Sequence, residues 1–361
     1  MTSTRYGDAI NDALDRLDDL GYERGGDADL ANHGPMAAEA LAVLGHGDEV
    51  PGWVRGYRAA MDHHEPPSAR FAIDGADESS WRPALGAFDR AGDWAALFER
   101  ELAEQPWREV LARWWPRLLP GLFSRLTHGV IRTAHAVRSV ASTDQPSSRQ
   151  LTELARGLAY WAARFTGLPG QARFVGEHSL AQAVAALPRI SVADGLPPGA
   201  RLARVGSLPG YQQALESIGA DQLPDLLGDM TTTFAGIALA HPELNPVPLV
   251  HGVTAPAAVR LVLAHLPAEL YEPSVAALWQ VHAALLLMFT GDAAAEARVL
   301  ARAMDTDVPA FDELIGRAVE HGDEHVIKFT EACLREHVLR PDPRFPAAVF
   351  AAQQRIERRV G

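Results

Sequence analysis

The amino-acid sequence predicts an all-α fold, a large multi-helix bundle with its site between helices. Three observations predict it. Apolar residues recur on a 3/4 spacing along nearly all of the 361 residues. No convincing run of alternating β-branched residues appears. Hydrophobic residues make up 47% of the chain, too many for a disordered polymer and enough for a sizeable core. The chain reads as a single domain, 1–361, with lobes 1–167 and 207–361. Between them, 168–206 is the least regular stretch, interrupted by Gly170, Gly176 and Pro197-Pro198. No repeat of fixed period is present.

Taken in order, DAINDALDRLDDLG places Ile10, Leu14, Leu17 and Leu20 on one helical face and stops at Gly21. Asn32-His33-Gly34-Pro35 opens a second helix, because proline suits a first turn. Met36, Ala37, Ala40, Leu41 and Leu44 form its apolar face. The same periodicity predicts helices over 92–103, 105–117, 121–139, 148–166, 208–218, 247–266, 274–290, 309–320 and 323–338. One stretch approaches membrane length, SVAALWQVHAALLLMFT from Ser274. It carries Gln280 and His282, so a helix buried in protein is the better reading, and no membrane is expected as a partner.

Composition excludes several function classes. The net charge of −13 and the lack of a basic stripe argue against nucleic acid as a partner. The lone cysteine, Cys333, rules out an intramolecular disulfide and a CxxC-type metal site, and fits a cytoplasmic setting. The first residues lack the apolar core of a secretion signal. No GxxxxGK[ST] loop, no GxGxxG after a strand, no GxSxG elbow and no duplicated ExxH motif occurs. Against these absences stand 14 histidines, and a single lysine, Lys328, among 33 basic residues. Codon bias alone would explain the second fact. It still means that any lysine-specific chemistry must use Lys328.

Three segments place histidines where chemistry is plausible. In PLVHGVTAPAAVRLVLAH, His251 shares a face with Thr254, Ala255, Ala258 and Val262, small residues that leave room for a ligand. A core histidine bonded to a neighbour is the plainer alternative. In LFSRLTHGVIRTAHAVR, His128, Arg132 and His135 fall at i, i+4 and i+7. They are either a functional row or the solvated side of an amphipathic helix. In EHGDEHVIKFTEACLREH, His321, His325 and Lys328 have the same spacing, so all three can point one way. His321-Gly-Asp-Glu324-His325 also matches HxxEH, the spacing of inverted zinc peptidases, although Gly322 weakens the helix there. A buried Lys328 would lose its charge by desolvation and could ligate, act as a base or take up CO₂ as a carbamate. On the surface it would merely snorkel. His33 stands just ahead of a helix, and His282 sits in an apolar one. Asp62-His63-His64-Glu65 is metal-capable but reads more simply as a charged loop. Trp114, Trp115, Tyr160 and Trp161 are available to wall an aromatic pocket or to pack the core.

The segments NHGPMAAEALAVLG, LTHGVIRTAHAVR, LVHGVTAPAAVRLVL and DEHVIKFTEA, in this order and at roughly these separations, resemble the questin oxidase-like family. ELARGLAYWAARF and WRPALGAFDRAGDWAALF are similar too, so the resemblance covers about residues 28 to 338. It implies an oxygenase that opens or inserts oxygen into a ring C–C bond of an anthraquinone-like aromatic polyketide, with O₂ as oxidant and NADPH as an optional reductant. It implies mononuclear non-haem Fe(II) held by His33, His128, His251 and His325, with Lys328 entering as a carbamate. His282 and His321 are secondary ligand candidates. Arg132 would hold a substrate oxygen and His135 would serve as general base. This chain departs from the pattern at Met36 and Ala37, and at Arg132, where the family has further histidines. The alternatives are a zinc-dependent hydrolase using His321, Glu324 and His325, and a metal-free helical binding protein. The apolar helices after 247 could serve a homodimer interface.

Overall fold

The computed structural model describes residues 3–26, 29–191, 195–291 and 293–358. Residues 192–194, inside the segment read as irregular, lie outside the described residues. The fold is all-α: among the described residues there are eighteen α-helices and one two-stranded antiparallel sheet, β1 (Glu23–Arg24) with β2 (Leu30–Ala31). The chain divides into two compact units, Met1–Gly167 with Leu261–Ala268, and Leu168–Arg260 with Glu269–Arg358.

The first unit holds α1 (Ser3–Leu17), α2 (Gly34–Val43), α3 (Val50–Ala59), α4 (Glu78–Trp81), α5 (Ala91–Glu104), α6 (Trp107–Leu118), α7 (Ser124–Ala141) and α8 (Ser148–Ala163). Its core forms where α7, α5 and α2 pack, the first two on α8 and the last on α7. Gly129 of α7 lies so close to α8 that an added Cβ would sit 2.7 Å from the Trp161 Cα. The lack of a side chain there is what lets the two backbones approach. Trp94, Trp114, Trp115, Trp161 and Phe98 fill the space around them with no exposure. The aromatic residues offered above as pocket walls are therefore core. Trp114 stands edge-on to Trp81, Trp94 and Phe98, Trp115 is edge-on to Trp161, and the Tyr160 hydroxyl donates to Glu23 at 3.0 Å.

The second unit holds α9 (Leu180–Ala186), α10 (Pro198–Val205), α11 (Tyr211–Leu215), α12 (Leu226–Ala240), α13 (Pro246–Leu263, whose last turn belongs to the first unit), α14 (Tyr271–Phe289), α15 (Glu296–Met304), α16 (Phe311–His321), α17 (Glu324–Leu339) and α18 (Arg344–Arg355). Two short helices, α9 and α10, thus occupy the stretch read as irregular, and the predicted helix 208–218 shortens to Tyr211–Leu215. Helix α12 was not predicted. It is apolar nearly all round and buried at most positions, so it has no polar face to mark a period. Its Thr231 and Thr232 hydroxyls donate to the Gly228 carbonyl, which satisfies them inside the core. Among the described residues, two helices rather than one are long and apolar enough to cross a membrane, Pro246–Leu263 and Ala268–Phe289. About 72% and 67% of their apolar windows are buried within the protein, as core helices are.

Candidate metal centre

In the first unit, His33 and His128 come together. Their Nε2 atoms lie 2.6 Å apart, with ring centroids 4.6 Å apart and tilted by 34°. Both residues are buried. Nitrogens bound to one ion at about 2.1 Å stand about 3 Å or more apart, so the 2.6 Å separation is that of a hydrogen-bonded pair, and the two rings would part by a few tenths of an ångström to share an ion.

Each ring is held from behind. His33 is the N-cap residue of α2, with Pro35 in the first turn. Its backbone N–H donates to the Tyr57 hydroxyl at 2.7 Å, and that hydroxyl donates to Asn32 Oδ1 at 2.9 Å. Asn32 Oδ1 also accepts the Gly34 N–H at 3.0 Å, while its Nδ2 donates to the Gly21 carbonyl at 2.8 Å. The Asn-His pair is thus a turn braced by a tyrosine. His128 follows a left-handed run, Arg125, Leu126 and Thr127, with φ of 45°, 53° and 68°. Non-glycine residues pay about 1–3 kcal/mol each for such backbone. The run turns the Arg125 carbonyl onto His128 Nδ1, which donates its proton there. That bond selects the tautomer whose Nε2 carries no proton, the arrangement seen around metal-bound imidazoles. Arg125 is itself tied to Glu23 at 3.2 Å and to the Asp29 carbonyl at 2.6 Å.

Further along α7, Arg132 and His135 are both buried, so this face is not the solvated side of an amphipathic helix. Arg132 donates through Nε and Nη2 to both oxygens of Glu153, at 2.7 and 2.8 Å, and its Nη1 has no partner. Burial pushes the guanidinium down, but Glu153 outweighs it and keeps it firmly charged. His135 Nδ1 donates to Glu39 at 2.7 Å. Glu39 also accepts from Tyr6 at 2.5 Å and from Arg138 Nε at 2.7 Å. Burial pushes the Glu39 carboxyl up, but Arg138 and the His135 bond overcome this and hold it at about 2. Glu39, Glu153 and Tyr57 were missed as supporting residues. Glu39 was visible as the one charge in GPMAAEALAV.

In the second unit, His251 is buried on α13. Lys328 on α17 is only 4% exposed, which removes the snorkelling alternative. His325, one turn earlier on the same helix, donates from Nδ1 to Asp323 at 3.1 Å. Asp323 doubles as the N-cap of α17, accepting the His325 N–H at 2.8 Å. Asp323, Glu324 and His325 each offer a ligand atom within 4.8 Å of the others.

The expectation that His321, His325 and Lys328 share one helical face is corrected. Helix α16 ends at His321, Gly322 adopts a left-handed φ of 76°, and α17 starts afresh at Glu324. His321 Nε2 donates to the Ile356 carbonyl at 3.0 Å and its Nδ1 accepts the Asp323 N–H at 3.4 Å. Both ring nitrogens are committed, so HxxEH does not form the two-histidine face that inverted zinc peptidases use. In the first unit, His64 of the Asp62-His63-His64-Glu65 loop lies near Glu23 and Asp29, but Glu23 is already taken by Arg125, Arg164 and Tyr160.

His282 behaves as a core histidine. Its Nε2 donates to the Gly252 carbonyl at 2.8 Å, its ring stacks on Phe234 at 3.8 Å, and its Nδ1 has no partner. Burial pushes it down to about 3. Because the unfolded chain protonates near the ordinary 6.5 and the folded one only near 3, stability is complete above about 6.5 and falls as pH drops through that window. Each pH unit costs about 1.4 kcal/mol. In His282→Gln, whose amide keeps a donor for the carbonyl, acid unfolding followed by far-UV circular dichroism is expected to move to lower pH. An unchanged midpoint would exonerate His282.

Comparison with protein-family models and with curated proteins finds no match to this chain.

Proposed function

We propose that the protein is a non-haem iron oxygenase acting on an electron-rich, hydroxyanthraquinone-like aromatic. The observation that supports this best is the convergence of His33 and His128 through their Nε2 atoms, with His128 locked in the ligating tautomer. The sequence resemblance supplies the remaining donors, His251, His325 and Lys328. The burial of Lys328 and the Asp323 bond that orients His325 fit that role. Imidazoles and an anionic oxygen donor suit iron. Bound iron would supply the activation of O₂ for ring oxygenation.

The protein's own groups take the other tasks. Glu39 orients the His135 ring through Nδ1, and His135 would serve as the general base for a phenolic proton. Arg132 is electrically neutralised by Glu153, so its unpartnered Nη1 is offered to a neutral carbonyl oxygen rather than to a phenolate.

Elemental analysis of protein purified without added metal is expected to give one iron per chain, with O₂ uptake when a hydroxyanthraquinone is added. One zinc with ester or amide hydrolysis would favour the hydrolase, and no metal would favour a binding protein. Lys328→Met is expected to lose at least about tenfold in iron affinity and O₂ uptake while keeping its helical spectrum. Full activity in that variant would remove Lys328 from the site.

A further inference from the structure

Helix α15 buries none of its residues fully; Val299, Leu300, Ala303 and Met304 are half-buried. It packs on α12 through this half-buried face, and polar anchors add to that contact. Its anchor lies in its first turn. Glu296 meets His241 Nε2 at 3.0 Å and Arg189 at 3.2 Å. His241 is the residue that ends α12, and its Nδ1 lies 3.0 Å from Glu243. Both ring nitrogens therefore face carboxylate oxygens. Only the imidazolium carries a proton on each nitrogen; neutral imidazole must turn a lone pair toward one of the two carboxylates.

We propose that His241 is a proton-operated latch. Protonated, it clamps α15 to the end of α12 through Glu296 and Glu243; neutral, it surrenders one carboxylate and α15 loosens.

The charged groups facing His241 come from each element around it. Glu296 comes from α15, Glu243 from the turn after α12, and Arg189 from the segment after α9, where it also holds Thr290. From α18, Arg355 donates to the carbonyls of His241, Ala238 and Leu244, while Arg344 is occupied by Asp342. The arginines keep their charge throughout the neutral range, so His241 is the group that switches. Burial pushes it down, but the bonds to Glu296 and Glu243 outweigh that and raise it above 6.5. For a raised pKa the clamp is complete below about 6.5 and is lost as pH climbs through the raised value.

The test is amide hydrogen exchange of the full chain, read by mass spectrometry and corrected for intrinsic rates. Between about pH 6 and pH 9, protection over 296–304 is expected to fall on the order of tenfold in the unmodified protein. In His241→Gln it is expected to be flat. In Glu296→Gln, where a neutral imidazole can satisfy both partners, the fall is also expected to vanish, so an unfolded His241→Gln leaves the idea testable. A flat profile in the unmodified protein, or an undiminished fall in both variants, overturns it.

Discussion

His128→Ala is expected to lose bound metal by at least about tenfold while retaining its helical spectrum. Both halves of the result follow from where the ring sits. Its Nε2 is one of two nitrogens meeting at 2.6 Å, so its removal halves that donor set and leaves His33 alone. Its Nδ1 bond to the Arg125 carbonyl is local, and Arg125 remains tied to Glu23 and Asp29. The loss of that bond costs about 1–3 kcal/mol, well short of global unfolding. Metal analysis beside circular dichroism reads both. Full metal content in a folded variant would show that the two imidazoles are merely a buried hydrogen-bonded pair.

The largest stability effect is expected at Arg132. Arg132→Met removes the guanidinium and leaves the Glu153 carboxylate buried without its bidentate partner. Breaking such a pair from one side costs about 3–5 kcal/mol, whereas replacing both members by apolar groups is often neutral or better. Urea unfolding should therefore place Arg132→Met far below the parent, with Arg132→Met/Glu153→Leu recovering most of the loss. A single variant as stable as the parent, or a double variant no better than the single, would contradict a desolvated, mutually dependent pair. Full stability would also favour a substrate-facing role for Arg132 over a structural one.

Much of this architecture is legible in the sequence. Helices α5, α7 and α17 follow an apolar spacing, α14 is legible from its apolar length, and the row of His128, Arg132 and His135 along one face of α7 follows from i+4 and i+7 offsets alone. Helix α12 lacks an amphipathic period, as α13 and α14 do, but it is shorter than they are and offers no long apolar run in its place. The shared face of His321 and Lys328 failed because the spacing rule presumes an unbroken helix, and Gly322 with Asp323 resets the phase. Gly322 weakens the helix, and Asp323 beside it is the capping residue that marks the new start. The left-handed run at Arg125–Thr127 has no signal in side-chain identity, since no glycine or asparagine occupies it. Partners such as Glu39 and Glu153 are long-range, 96 and 21 residues from the groups they bind, which no local pattern encodes.

In the proposed site, His33 and His128 hold a transition metal. Anomalous scattering from a native crystal, collected on both sides of the iron edge, tests it most directly. A single peak about 2.1 Å from both Nε2 atoms is expected, present above the edge and absent below it. No peak at that position, with the two rings hydrogen-bonded to each other, would contradict it.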